Sequence, residues 1–219
     1  MDRSQFLAPA LEVAPRLLGA RLSVDSECGK VTVRITEVEA YHGLGTPGPH
    51  DAGSHARDRL TARNASMFGP PGHAYVYLSY GVHYALNLVC SPEGAASGVL
   101  IRAGEVVDGA ALALRRRELG KAKRAIRAHE LARGPGNLAQ ALGIHRDVHN
   151  GSDVFSAPFE LHAPEVVPGE IARGPRVGVS GHAGSTEFAW RFWLTEDPTV
   201  SAYRPGRNVP GRYARSVCA

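Results

Sequence analysis

From Val31 to Tyr41 every second residue, namely Val31, Val33, Ile35, Glu37, Glu39 and Tyr41, falls on one face of a period-two strand. An apolar core face would then run straight into two carboxylates and a phenol. A strand ordinarily carries Val or Ile at such positions, so a carboxylate there is either paired or functional. Downstream, Tyr75-Val-Tyr-Leu-Ser-Tyr-Gly81 concentrates aromatic side chains in the same way.

The flanking pattern supplies the rest of a fold. Leu11, Ala14, Leu17 and Leu18 have helical spacing closed by Gly19, which predicts a short opening helix bent or started late by Pro9 and Pro15. Strands are expected over 21–25 and 31–41 with Cys28-Gly29 as their turn, and 42–59, rich in Gly, Pro, His and Asp, reads as a long irregular loop. A second hairpin pairs 73–78 with 83–89 through Ser79-Tyr80-Gly81-Val82, Gly81 supplying positive φ. Further strands are expected over 99–103, 159–162, 176–180 and 190–195. Asp108 is expected to cap a helix over 110–119, and a basic helix to run from Lys121 to Arg133. Strands and helices are mixed rather than alternating, and no Pro/Gly/Ser tract divides the chain. The class is therefore α+β: a single domain over 1–219 with a mixed antiparallel β-sheet, surrounding helices and a protruding β-hairpin.

The formal charge is +4, but of the 25 basic residues only Lys30, Lys121 and Lys123 are lysines, which leaves 22 arginines. Arginine's rigid fork suits phosphate, although arginine richness can equally reflect codon composition. Cys28, Cys90 and Cys218 are odd in number and widely spaced, so neither a disulfide framework nor a zinc knuckle is indicated. The N-terminus has no basic and apolar leader, and no apolar run approaches membrane-spanning length, so a soluble cytoplasmic protein is expected.

Glu39 and Tyr41 point the same way, placing a carboxylate beside an aromatic wall; that suits a base or a water activator, or else a strand-end acid satisfied by an arginine. Among the tyrosines of the second hairpin, Tyr75 and Tyr84 read as core, but Tyr80 beside a turn glycine gains little by packing. An aromatic tip of that kind can wedge between stacked bases or fill the gap left by an extruded one. His145 and His149 have metal-ligand spacing, yet no intervening glutamate, and read as surface histidines in a loop; no metal and no cofactor is expected. Leu131 to Leu138 reads as a helix end, a turn and the next helix start, and Arg115 to Arg117 with Lys121 to Arg127 as either a solvated face or phosphate contacts.

Several blocks stand in an order that resembles the alkyladenine (3-methyladenine) DNA glycosylase family over roughly residues 10 to 203. They are Glu-Ala-Tyr at 39–41, Ser-His at 54–55, Thr61 to Phe68, Pro71 to Gly81, Asn87, Val99-Leu-Ile-Arg102, Gly134 to Gly143 and Arg176-Val-Gly-Val179. The resemblance implies a DNA repair enzyme that flips alkylated or deaminated purines out of duplex DNA and hydrolyses the N-glycosidic bond. Glu39 would be the general base and Arg102 would sit beside the attacking water and the nucleotide's phosphate. Tyr41 and His55 would form one wall of the base pocket and Tyr77 the other, with Asn87 obstructing guanine's exocyclic amine. Tyr80 would enter the minor groove. No lysine accompanies the motif, so the enzyme is expected to be monofunctional, leaving an abasic site, and to act as a monomer on double-stranded DNA containing damaged purines. The rivals are a non-catalytic protein that binds damaged nucleic acid and a nucleosidase, the latter having little use for an aromatic tip.

Overall fold

The computed structural model describes residues 1–79, 81–119, 125–166 and 168–210. Tyr80, Lys121, Lys123 and Cys218 lie outside them. The chain opens with a 3-10 turn over Arg3–Leu7, then α1 (Ala10–Val13) and a second 3-10 turn (Ala14–Leu17), so the opening helix is broken where Pro15 removes a backbone donor. Among the described residues nine strands follow: β1 (Arg21–Val24), β2 (Val31–His42), β3 (Ala74–Ser79), β4 (His83–Val89), β5 (Ser97–Asp108), β6 (Ala132–Arg133), β7 (Phe159–His162), β8 (Ile171–Gly174) and β9 (Arg191–Leu194). Three helices, α2 (Ala110–Glu118), α3 (Pro135–Leu142) and α4 (Arg146–His149), stand between β5 and β7. The class is α+β, and every strand pairing among the described residues is antiparallel.

The sheet runs β3-β4-β5-β2-β1-β7, with β2 at its centre. One side of β2 pairs with β5 along its length. Its other side pairs first with β1, as in Arg21↔Arg34, and then with β9, as in Glu37↔Trp193 and Glu39↔Arg191. The register with β5 shifts where the partner changes: Ile35 faces Gly104 and Glu37 faces Ala103, which leaves Thr36 as an extra residue, and the step from Glu37 to Val38 skips Arg102 on β5. Such a bulge reverses which side chains face which layer.

The expected single face from Val31 to Tyr41 is corrected by that bulge. Val31, Val33 and Ile35 belong to the main apolar core, but the core then continues with Val38 and Ala40. Glu37, Glu39 and Tyr41 are thereby placed on the opposite face. The core below it also holds Ala74, Val76, Leu86, Leu88, Val99 and Ile101 from the neighbouring strands, with Leu138, Ala139 and Leu142 of α3.

Other expectations are corrected locally. Residues 176–180 are not a strand; the partner of β9 is β8, just before them. The basic helix expected through Arg133 is not formed over its described part, where a 3-10 turn (Ala128–Glu130) leads into β6 paired with β5. Asp108 ends β5, and the helix cap is Gly109 at φ 74, whose missing Cβ would lie 2.3 Å from the Lys30 carbonyl. His145 to His149 form one helical turn rather than a loop. The turn after Leu131 does start a helix, with Gly134 at φ 96 preceding Pro135 at the first position of α3.

Candidate active site

Cross-strand partners share a face, so the register lays out the site. Glu39 on β2 faces Leu100 on β5, Leu100 faces Asn87 on β4, and Asn87 faces Tyr75 on β3. This row crosses four strands on the face turned away from Val38, Ile101 and Leu88. Tyr41 and Tyr77 lie one alternation from Glu39 and Tyr75, and Arg102 one from Leu100. The irregular segment between β2 and β3 folds over the row, packing Ala56 and Met67 with Tyr75, Val89, Tyr41 and Tyr77. Tyr41, His55, Tyr77, Asn87 and Arg102 all line one groove of about 1200 Å³. Five of the seven site residues read from sequence are thus brought together. Glu39 lies fully buried beneath the groove, and Tyr80 is outside the described residues.

The two acids of β2 are held differently. Glu37 Oε1 accepts from Arg191 Nε at 2.6 Å, Arg102 Nε at 3.1 Å and Ser201 Oγ at 3.0 Å, while Oε2 accepts from the Ser201 N–H at 2.8 Å. It is saturated by donors and anchors 201 and β9 to the sheet. Glu39 Oε1 accepts from the Val177 N–H at 2.7 Å and lies 3.3 Å from Arg102 Nη1. Its Oε2 receives a single hydrogen bond among the described residues, from Tyr41 Oη at 2.7 Å. Glu37 is therefore fully paired, whereas Glu39, although ion-paired with Arg102, keeps acceptor capacity on Oε2 among the described residues. Burial and the adjacent Glu39 raise the Tyr41 phenol well above its ordinary value, so it is a neutral donor. Burial opposes the Arg102 charge, but Glu39 and Glu37 more than compensate and hold it protonated.

A buried clamp that sequence reading missed fixes Tyr41. Arg176, fully buried, donates through Nη1 and Nη2 to both Asp51 oxygens at 2.7 and 2.6 Å, and to the carbonyls of Ala40 and Ala183. Its guanidinium lies 4.5 Å from the Tyr41 ring centroid and 5.0 Å from that of Trp190. Asp51 also accepts from the His42 and Gly53 N–H groups. One ion pair therefore ties the end of β2, the loop before His55 and the loop carrying Val177. Arg176 opens one of the blocks that carry the resemblance but has no role attached to it there, and Asp51 sits in a glycine-rich loop with no signal of its own.

On the far side, His55 Nδ1 is 3.2 Å from Tyr75 Oη, and its ring stands edge-on to Tyr77 at 4.5 Å between centroids. His55 and Tyr77 are thus in direct contact, and together with Tyr41 they line a slot in the groove. Desolvation, with Arg63 and Arg57 nearby, keeps the His55 imidazole below its ordinary value. Asn87 Nδ2 donates to the Tyr75 carbonyl at 3.0 Å, which leaves Oδ1 without a protein donor among the described residues. His149 Nδ1, at the other motif, lies 3.0 Å from the His145 carbonyl and the ring packs on Phe159.

Comparison with known proteins gives the chain a family. A family model described as methylpurine-DNA glycosylase matches residues 4–198. Relatives named "Putative 3-methyladenine DNA glycosylase" include one from Leifsonia xyli, 52% identical over 202 residues that make up 92% of each chain. Another from Streptomyces avermitilis is 47% identical over 93% of this chain and 92% of its own, and one from Corynebacterium glutamicum 49% identical over 91% and 95%. With a match that takes in β1 to β9 and every described residue of the groove's slot, the chain belongs to the methylpurine-DNA glycosylase family.

Proposed function

We propose that this protein excises alkylated purines of the 3-methyladenine type from duplex DNA by hydrolysing the N-glycosidic bond. The observation that carries the reading is Glu39 Oε2, which among the described residues accepts only from the Tyr41 hydroxyl, beneath a slot lined by Tyr41, His55 and Tyr77. A purine swung out of the duplex fits between those rings with its sugar over Arg102. Its electron-rich walls attract a cationic base, on the order of 1 kcal/mol per well-placed face. An alkylated purine already carries positive charge, so it departs without prior protonation. Water oxygen bonds to the anomeric carbon as the bond to the purine nitrogen breaks, and that bond's electron pair neutralises the leaving base. The water's proton passes to Glu39 Oε2 when the Tyr41 hydroxyl turns aside, and the carboxylate's charge stabilises the oxocarbenium-like transition state.

The product is an abasic site. Strand cleavage through a Schiff base would need an amine at the sugar. Lys30 precedes β2, nine residues from Glu39, which at about 3.3 Å per residue is roughly 30 Å away. It is paired with Glu160 at 2.8 Å. The β3–β4 hairpin carries Gly81 at φ 71 on the groove's rim beside the exposed Val82, which supports Tyr80 as the residue that fills the vacated base position.

Incubating alkylated DNA with the protein and chromatographing the released bases tests the function. Free 3-methyladenine with loss of activity in Glu39→Gln is the expected result. Tight lesion binding with no released base would favour a non-catalytic binder instead.

A further inference from the structure

We propose that Arg63, Arg146 and Arg204 are the phosphate-binding residues of the groove, holding the backbone of duplex DNA on both sides of the slot. The inference rests on the DNA reading above and names which of the many arginines touch the duplex.

Most described arginines near carboxylates or carbonyls are already engaged. Arg34, Arg102, Arg176 and Arg191 are tied to buried or half-buried acids, and Arg3, Arg21 and Arg57 to surface ones. The longest basic run in the sequence is also largely engaged. Arg116 donates to the Ala141 carbonyl at 3.1 Å and to Ser26 Oγ at 2.8 Å, and Arg117 donates to Gln140 at 2.8 Å, so these two dock α2 on α3. They lie outside the groove.

Arg63, Arg146 and Arg204 are different. All three are exposed and line the groove, and none has an acidic partner among the described residues. Arg146 and Arg204 make no side-chain hydrogen bond there, and Arg63 makes one long contact of 3.4 Å to the Leu78 carbonyl. They come from three separate elements. Arg63 stands in the loop over β3, Arg146 opens α4 packed on β3, and Arg204 follows β9 beside Gly178, whose N–H bonds to the Arg204 carbonyl. Two therefore lie on the hairpin side of the slot and one across from them. With Arg57 and Arg102 the groove lining carries five arginines and no Asp or Glu, while the whole chain has a net charge of only +4. A concave surface of one sign focuses its field on a polyanion. Unpaired guanidiniums at its rim take phosphate oxygens without first breaking a protein contact.

The test is the salt dependence of binding to an undamaged fluorescent duplex, measured by anisotropy with the full chain between about 50 and 200 mM salt. Each of Arg63→Ala, Arg146→Ala and Arg204→Ala should flatten the slope of log K against log salt by about 0.9, which is about a 3.5-fold smaller loss of affinity over that range. The lysine replacements should keep the slope, and Arg115→Ala on α2 should leave it unchanged. Unaltered slopes in the three alanine variants, or an equal change in Arg115→Ala, would overturn the assignment. Base release by the unmutated protein is scored separately, so a protein that excises bases with unmoved slopes refutes this inference and leaves the glycosylase reading intact.

Discussion

Exchanging the two β2 acids for glutamine, one at a time, should give opposite defects. In Glu39→Gln the amide oxygen still accepts the Val177 N–H, and the amide nitrogen replaces Oε2 opposite the Tyr41 hydroxyl, which can turn to accept. Arg102 keeps Glu37 at 3.1 Å. No buried group is orphaned, so the stability cost is about 1 kcal/mol. What is lost is the proton acceptor and the negative charge under the sugar, worth about 100- to 10,000-fold, or about 2.7–5.4 kcal/mol of barrier. In Glu37→Gln, the buried Arg191 guanidinium and the Ser201 groups lose the charge they are tied to, while Arg102 keeps Glu39 at 3.3 Å. Breaking such a pair costs about 3–5 kcal/mol, and for a chain of this size that lowers Tm by roughly 6–20 °C. Single-turnover base release at saturating enzyme and thermal unfolding separate the two effects. If Glu39→Gln retains base release within tenfold of the unmutated protein, or if Glu37→Gln unfolds at an unchanged temperature, the division of labour between these acids is wrong.

Asp51→Asn should destabilise the fold by about 3–5 kcal/mol, because it leaves the fully buried Arg176 uncompensated; urea unfolding gives the value, and a change under 1 kcal/mol would deny the clamp its role. Burial lowers the pKa of His42 and His149 from 6.5, so the unfolded chain binds more protons just below that pH. Their contribution to stability is complete above about pH 6.5 and declines as the pH falls through the window toward their folded values. Denaturant midpoints at about pH 7.5 and 5.5 should show the lower stability at the acid end, and the reverse order would contradict the assignment. Borohydride added during turnover should trap no protein–DNA adduct, whereas a stable adduct on denaturing gels would place an amine at the sugar.

Much of the layout was readable because hairpins are local. β1 with β2 and β3 with β4 follow from apolar alternation around Cys28-Gly29 and Gly81, and β7 is found at the expected residues. The slot residues were found because Tyr, His and Asn in strand and loop positions are unusual enough to stand out, and their order along the chain matched a family. Non-local pairing was not readable. Nothing near Thr36 announces an unpaired residue, since its cause is the exchange of β1 for β9 alongside β2, more than a hundred residues apart in sequence. For the same reason 176–180 read as a strand by its valines. The segment instead lends its backbone N–H to Glu39 and its arginine to Asp51. Arg191 and Ser201, which saturate Glu37, are likewise ordinary residues made important by distant partners.

Thr36 has a genetic consequence. Its hydroxyl meets that of Thr199 at 2.7 Å, a modest bond that a substitution could forgo. Dropping that one codon would close the bulge and join Ile35 to Glu37, so simple alternation would still send Glu37, Glu39 and Tyr41 to the groove and Val38 and Ala40 to the oily layer, whereas dropping Val38 would turn Glu39 and Tyr41 inward. A deletion library should therefore tolerate loss of Thr36 yet reject loss of Val38, because Glu39 owes its placement to a tally of residues as much as to their identity.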